Sequence, residues 1–182
     1  MENDNKYSWI EYIIYTNVVS KIRGSLYANI LDISLRGDNL LKKINQSFKD
    51  SRLYLYDSKE LKLDIYKTLK NRDEIREHNY DLILSIFDFH TLNEIQISEQ
   101  IRFIKEISGN ETIILLSDIY SNNFASSILL KVASFINKRL KTIISKEDMI
   151  KLLEEHEMQI IDKEEYRINH IWSYWILNIK KK

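Results

Sequence analysis

The sequence predicts an α/β fold: a doubly wound, mostly parallel sheet with helices on both faces and an antiparallel strand pair at the carboxyl end. Three observations predict it. Short apolar runs alternate with stretches of helical periodicity, the pattern of strand, crossover helix and returning parallel strand. Several of those runs close on acidic or polar residues (Asp32, Asp57, the Phe87 to His90 segment and Asp118), and ligands bind such sheets at the carboxyl ends of the strands. The last two apolar stretches lie too close in sequence for a helical crossover, so they must pair as a hairpin.

Taken in order, Ile10, Ile13, Ile14, Val18 and Ile22 recur at helical spacing and predict an amphipathic helix over Tyr7 to Ile22. Tyr27 to Ile33 reads as a strand. It is followed from about Asp38 by a helix whose apolar face is Leu40, Leu41, Ile44 and Phe48. Arg52 to Asp57 is a second strand. Ser58 to Asn79 is charged and weakly periodic, and Leu61, Ile65 and Leu69 predict a helix there. Tyr80 to Ile86 has the continuous apolar character of a strand buried on both faces. Ile97, Ile101, Ile104 and Ile107 place a helix over Glu94 to Ile107, which Gly109-Asn110 terminates. A strand over Glu111 to Ser117 ends at Asp118, and a helix spans Asn123 to Lys138. Ser145 with Asp148 three residues on caps a helix that buries Met149, Ile150, Leu152 and Leu153. Strands around Met158 to Tyr166 and His170 to Ile179 complete the chain.

The 182 residues, 44% of them hydrophobic, suit one domain over 1–182, with a helical segment at 1–26 and an α/β core at 27–182. Twenty-seven basic and 27 acidic residues cancel, so no overall field attracts nucleic acid or anionic lipid. The absence of cysteine excludes disulfides, thiolate metal sites and a cysteine nucleophile. A polar amino terminus followed by interrupted apolar residues fits neither a signal peptide nor a membrane span, and a cytoplasmic location is expected. His78, His156 and His170 sit far apart without metal-ligand spacing, so no metal is expected.

In their order, these segments resemble the class I methyltransferases that use S-adenosylmethionine. Tyr80-Asp81-Leu82-Ile83-Leu84-Ser85-Ile86, continuing to His90 and Leu92, is similar to the family's fourth-strand motif. Ile104 to Asp118 resembles its next helix, glycine and strand, and Ser145 to Lys180 its closing helix and antiparallel pair. Ile30-Leu31-Asp32-Ile33 resembles the start of the cofactor motif, and Asn39 to Lys43 the helix after it. The resemblance implies that Asp57 holds the ribose hydroxyls, and it makes Asp32, Asp57, Arg36 and Gly37 the cofactor-binding candidates.

The loop departs from that family. Glycines let the backbone turn sharply and lie against the cofactor, but the three expected positions fall on Ser34, Arg36 and Asp38, and Gly37 is displaced. A β-carbon held at positive φ costs about 1–2 kcal/mol. A long arginine fills cofactor volume, although it also offers a partner for a ligand carboxylate, and Asp38 adds negative charge where the methionine carboxylate would sit. Only 23 residues separate Asp57 from Asp81, so the helix or the third strand between them is expected to be short or missing.

No Ser-His-Asp order, phosphate loop or paired-carboxylate signature is present, and no catalytic residue is assigned. His90 has the chemistry of a general base, set against a structural role. Trp172, Tyr174 and Trp175 read as core and edge aromatics of a strand. The functional expectation is a degenerate methyltransferase-like protein without ordinary methyl transfer, serving as a binding or scaffolding partner. The alternatives are an active methyltransferase acting on a small molecule, or a biosynthetic enzyme repurposed on the same fold.

Overall fold

The computed structural model describes residues 8–34, 37–56, 65–121, 142–170 and 172–182. Helix α1 (Ser8–Ile22) precedes β1 (Asn29–Asp32), α2 (Gly37–Ser47) and β2 (Arg52–Tyr56). Next come β3 (Lys67–Leu69), α3 (Arg72–Arg76), β4 (Leu82–Ile86), a 3-10 turn at Phe89–Thr91 and α4 (Glu94–Ile107). The remainder is β5 (Ile113–Ser121), α5 (Lys146–Glu155), β6 (Met158–Arg167) and β7 (Trp172–Lys181).

The seven strands form one sheet in the order β3-β2-β1-β4-β5-β7-β6. The first five pair in parallel; β7 runs antiparallel to both β5 and β6. Alternation along each strand sorts its side chains between two apolar layers. Ile30, Leu82, Leu84, Ile86, Leu115, Ile119, Tyr174 and Ile176 face the layer that holds α1 and α2. Leu31, Ile83, Ile114, Leu116, Trp175, Leu177 and Ile179 face the layer that holds α3, α4 and α5. Burial on both faces explains the apolar runs Leu82 to Leu84 in β4 and Ile113 to Leu116 in β5.

The helices start where local chemistry directs. At α4 the Asn93 Oδ1 accepts the Gln96 N–H at 2.9 Å and the Gln96 side chain accepts the Asn93 N–H at 3.1 Å, a reciprocal capping box. At α5 the Ser145 Oγ accepts the Asp148 N–H at 3.1 Å, as the sequence predicts. Helix α1 buries Ile14, Tyr15, Val18 and Ile22. The flank of this face is fastened to the hairpin: Asn17 donates to the Tyr174 hydroxyl, and Lys21 Nζ lies 2.5 Å from Asp162 and 2.8 Å from Glu164. Hydrogen bonding to Lys21 holds both carboxylates below their ordinary range. Burial lowers the Lys21 ammonium, and the two carboxylates outweigh that and raise it.

Two expectations change. Leu69 closes strand β3, pairing with Tyr56, rather than lying on a helix over Ser58 to Asn79; within that range the described helix is α3, capped by Asn71. Three residues are too few to register as a period, and only their in-register pairing with Tyr54 to Tyr56 makes them a strand. Leu61 lies outside the described residues, as does the predicted helix over Asn123 to Lys138. Strand β5 continues past Asp118 to Ser121 because β7 goes on pairing with it as far as Trp172. Among the described residues no helix is long and apolar enough to cross a membrane.

Two outcomes follow from these contacts. Asn93→Ala is expected to lower stability by about 1 kcal/mol in urea denaturation. Because Asp162 and Glu164 are depressed, their contribution is complete above the ordinary carboxylate range and is lost as pH falls through their folded values. Because Lys21 is raised, its contribution is lost only as pH rises through its folded value. Lys21→Met should therefore make denaturation midpoints less dependent on pH across the acid range than those of the unaltered protein.

Candidate functional site at the carboxyl edge of the sheet

Strand β1 ends on Asp32, which is completely buried. Its Oδ1 accepts the Ser34 N–H at 2.8 Å, closing a tight turn at the strand end. The Ser34 hydroxyl is turned inward and accepts the Ile86 N–H of β4 at 2.9 Å. Ile33 N–H donates to the Leu84 carbonyl at 2.9 Å, so the exit of β1 is tied to the exit of β4 by both backbone and side chain. Ser34 has ordinary backbone: among the described non-glycine residues positive φ occurs at Phe87 and Glu157. The strain expected at this first loop-glycine position is therefore absent, because its side chain packs into the sheet instead of the loop.

Strand β4 ends in a conformation that is itself unusual. Phe87 lies at φ 64°, a region disfavoured for a bulky side chain, and its N–H donates to the Ser117 carbonyl at 2.7 Å. That reversal directs the chain into the Phe89–Thr91 turn. The Asp88 carbonyl accepts from the Thr91 N–H at 2.9 Å and hydroxyl at 2.7 Å, and Ser85 Oγ donates to Asp88 Oδ2 at 3.2 Å.

Pairing of Ile86 with Ser117 places Asp118 beside this turn. Its Oδ2 accepts the His90 backbone N–H at 2.8 Å, and its Oδ1 lies 2.8 Å from His90 Nδ1 and 2.7 Å from the Ile119 N–H. Three donors thus satisfy a fully buried carboxylate. A carboxylate only accepts, so the neutral ring carries its hydrogen on Nδ1 and its lone pair on Nε2. The Phe87 ring packs 4.4 Å from the imidazole and His90 is 9% exposed, which leaves the ring oriented from two sides. A histidine held in one tautomer by a buried aspartate is equipped to accept a proton at Nε2.

Solved structures share this architecture. The mitomycin 7-O-methyltransferase MmcR is similar over 95% of this chain, with a TM-score of 0.71 at 14% identity. The Burkholderia thailandensis 1,6-didemethyltoxoflavin-N1-methyltransferase is similar over 98%, with a TM-score of 0.72 at 12% identity. The Mycobacterium tuberculosis cyclopropane synthase MmaA2 is similar over 99%, with a TM-score of 0.71 at 10% identity. The fold is that of the class I methyltransferases. The chain spans 54% of the length of MmcR, 83% of the toxoflavin enzyme and 87% of the cyclopropane synthase. No protein-family model and no curated protein matches the sequence.

Within this methyltransferase fold, Asp32 lies at the end of β1 and Gly37 opens α2, on either side of the loop. Arg36 and Asp57 lie outside the described residues; Asp57 directly follows Tyr56, the last residue of β2. Sequence reasoning found His90 and Asp118 separately but not their pairing, since they lie 28 positions apart and only the β4–β5 register brings them together. Of the strand aromatics, Tyr174 and Trp175 are buried in the two core layers, and Trp172 packs against the α1 layer.

Two serines near this edge should respond differently to substitution. Ser34→Ala leaves the buried Ile86 N–H without its acceptor and is expected to cost about 1–3 kcal/mol. The Ser117 hydroxyl is buried with no hydrogen-bond partner, so Ser117→Ala should leave stability unchanged or raised. Denaturant titration of the two variants side by side checks both.

Proposed function

We propose that this is a degenerate methyltransferase-like protein, working in the cytoplasm, that does not transfer methyl groups by the ordinary route and acts as a binding or scaffolding partner. The observation that supports this most directly is the start of α2. The helix begins at Gly37, so Asp38 falls in its first turn. The free N–H groups of a helix start favour anions, and in this fold they would receive the carboxylate end of S-adenosylmethionine. In the sequence Asp38 brings a negative charge to a position that the family leaves to glycine, which disfavours a second anion beside it. Arg36, where the second loop glycine is expected, adds side-chain bulk in a loop that requires none. Ser34 is neutral in this respect, since its side chain is spent inside the sheet. On these grounds the loop does not fit the ordinary cofactor pose. Calorimetric titration of folded protein with S-adenosylmethionine and S-adenosylhomocysteine is expected to give no binding heat; methyl transfer with multiple turnovers to any small molecule would sink the proposal.

One observation favours a second reading, an active S-adenosylmethionine-dependent methyltransferase with a small-molecule substrate. It is the His90–Asp118 pair, whose tautomer suits removal of a proton from an acceptor. Asp57 and Arg36 would then hold the cofactor, which supplies the activated methyl group. Asp57→Ala should weaken cofactor binding by about tenfold or more, the loss of a charge-assisted hydrogen bond. His90→Ala should reduce turnover and leave cofactor affinity in place. Unchanged affinity in the Asp57 variant would remove this reading.

A further inference from the structure

The backbone strain at Phe87 has a use that folding alone does not require. A phenylalanine at φ 64° occupies a conformation in which glycine or asparagine would be at ease. The hydrogen bond made there, from the Phe87 N–H to the Ser117 carbonyl, involves backbone alone and asks for no aromatic side chain. What the ring does follows from where the reversal sends it.

Along β4 the side chains alternate. Leu82, Leu84 and Ile86 face the layer that holds α1 and α2, and Ile83 faces the layer that holds α3, α4 and α5. A strand continued without a break would send residue 87 to the side of Ile83. Instead Phe87 shares the α1 layer with Ile86, its immediate predecessor, because the left-handed residue interrupts the alternation. Asp118 lies on the other side: it is two positions on from Leu116 and pairs with Trp175, and both of those face the α4 layer. The His90 imidazole is therefore held from both layers, with its Nδ1 2.8 Å from Asp118 and its ring centroid 4.4 Å from that of Phe87. An unbroken strand would put the phenyl ring on the same side of the sheet as the carboxylate.

We propose that Phe87 is a positioning residue for His90. The strained backbone sets the phenyl ring against the imidazole from the α1 side, so that ring and carboxylate together fix the orientation in which Nε2 is presented. A glycine would relieve the strain and lose this clamp. The consequence for turnover rests on the second reading, in which His90 takes a proton; the consequence for the imidazole itself does not.

Nuclear magnetic resonance of protein carrying nitrogen-labelled histidine tests this, with the His90 signal assigned by its loss in His90→Gln. In the unaltered protein the Nδ1–H proton, bonded to a buried carboxylate, should be protected from exchange with water, and the ring should show one tautomer. Phe87→Gly, which suits the left-handed backbone, should keep the fold by circular dichroism and lose that proton signal to exchange. Phe87→Leu, which fills the α1 layer without a flat ring, should lose it as well, and it decides the matter if Phe87→Gly does not fold. Phe87→Tyr, which keeps the ring, should retain the signal. On the second reading Phe87→Gly and Phe87→Leu also lower kcat and leave KM and cofactor affinity unchanged. If the unaltered protein has no turnover while the His90 signal responds as expected, the second reading fails and the positioning of His90 stands. A His90 signal that persists unchanged in both Phe87→Gly and Phe87→Leu overturns the proposal.

Discussion

The pairing of β4 with β5 is the constraint on which the candidate site depends. Once Ile86 lies opposite Ser117, the residue after each strand partner has a fixed place: Phe87 must reverse, and Asp118 comes within reach of the turn that follows. The carboxylate then takes the His90 backbone and ring together, which joins the 3-10 turn to the sheet as firmly as a strand would. A slip of one residue in this register would send Asp118 to the opposite face of the sheet and leave both groups buried without partners.

The exit of β1 is held to the same strand by a different device. In this fold the loop after β1 is ordinarily given over to a ligand, and its glycines keep side chains out of the way. Here Ser34 is used for the sheet, its hydroxyl serving as the acceptor for an Ile86 N–H that a glycine could not satisfy. The substitution therefore carries a structural gain without the backbone strain that a β-carbon at positive φ would bring. The strained position lies one strand over, at Phe87, where the chain passes between the layers of the core. Strain of this kind persists when surrounding contacts determine it, and Phe87 has its amide on Ser117 and its ring on His90.

Helix α1 illustrates how a segment outside the strand–helix alternation is bound into the whole. Its apolar face closes the layer over β4, β5 and β7, while Lys21 and Asn17 reach the hairpin at the end of the chain. The two ends of the sequence are thereby held together on one face of the sheet. The edge strand β6, which has β7 as its strand neighbour, gains a side-chain anchor to α1 in addition to its pairing.

The sequence by itself determined the alternation of elements, the helix starts near Glu94 and at Ser145, the buried character of β4 and β5, and the closing antiparallel pair. Those are consequences of local periodicity and short-range hydrogen bonding, which residues within a few positions of one another specify. It also placed Asp32, His90 and Asp118 near strand ends, and the loss of the loop glycines was visible at once. Tertiary structure alone decided that Lys67 to Leu69 is a strand, because three residues acquire that identity only by pairing with β2. It alone decided that β5 outlasts Asp118, that Ser34 faces inward, and that His90 has a partner. Each of these rests on contact between residues far apart in sequence, where the register of one strand against another, and not the pattern within either, sets which groups meet.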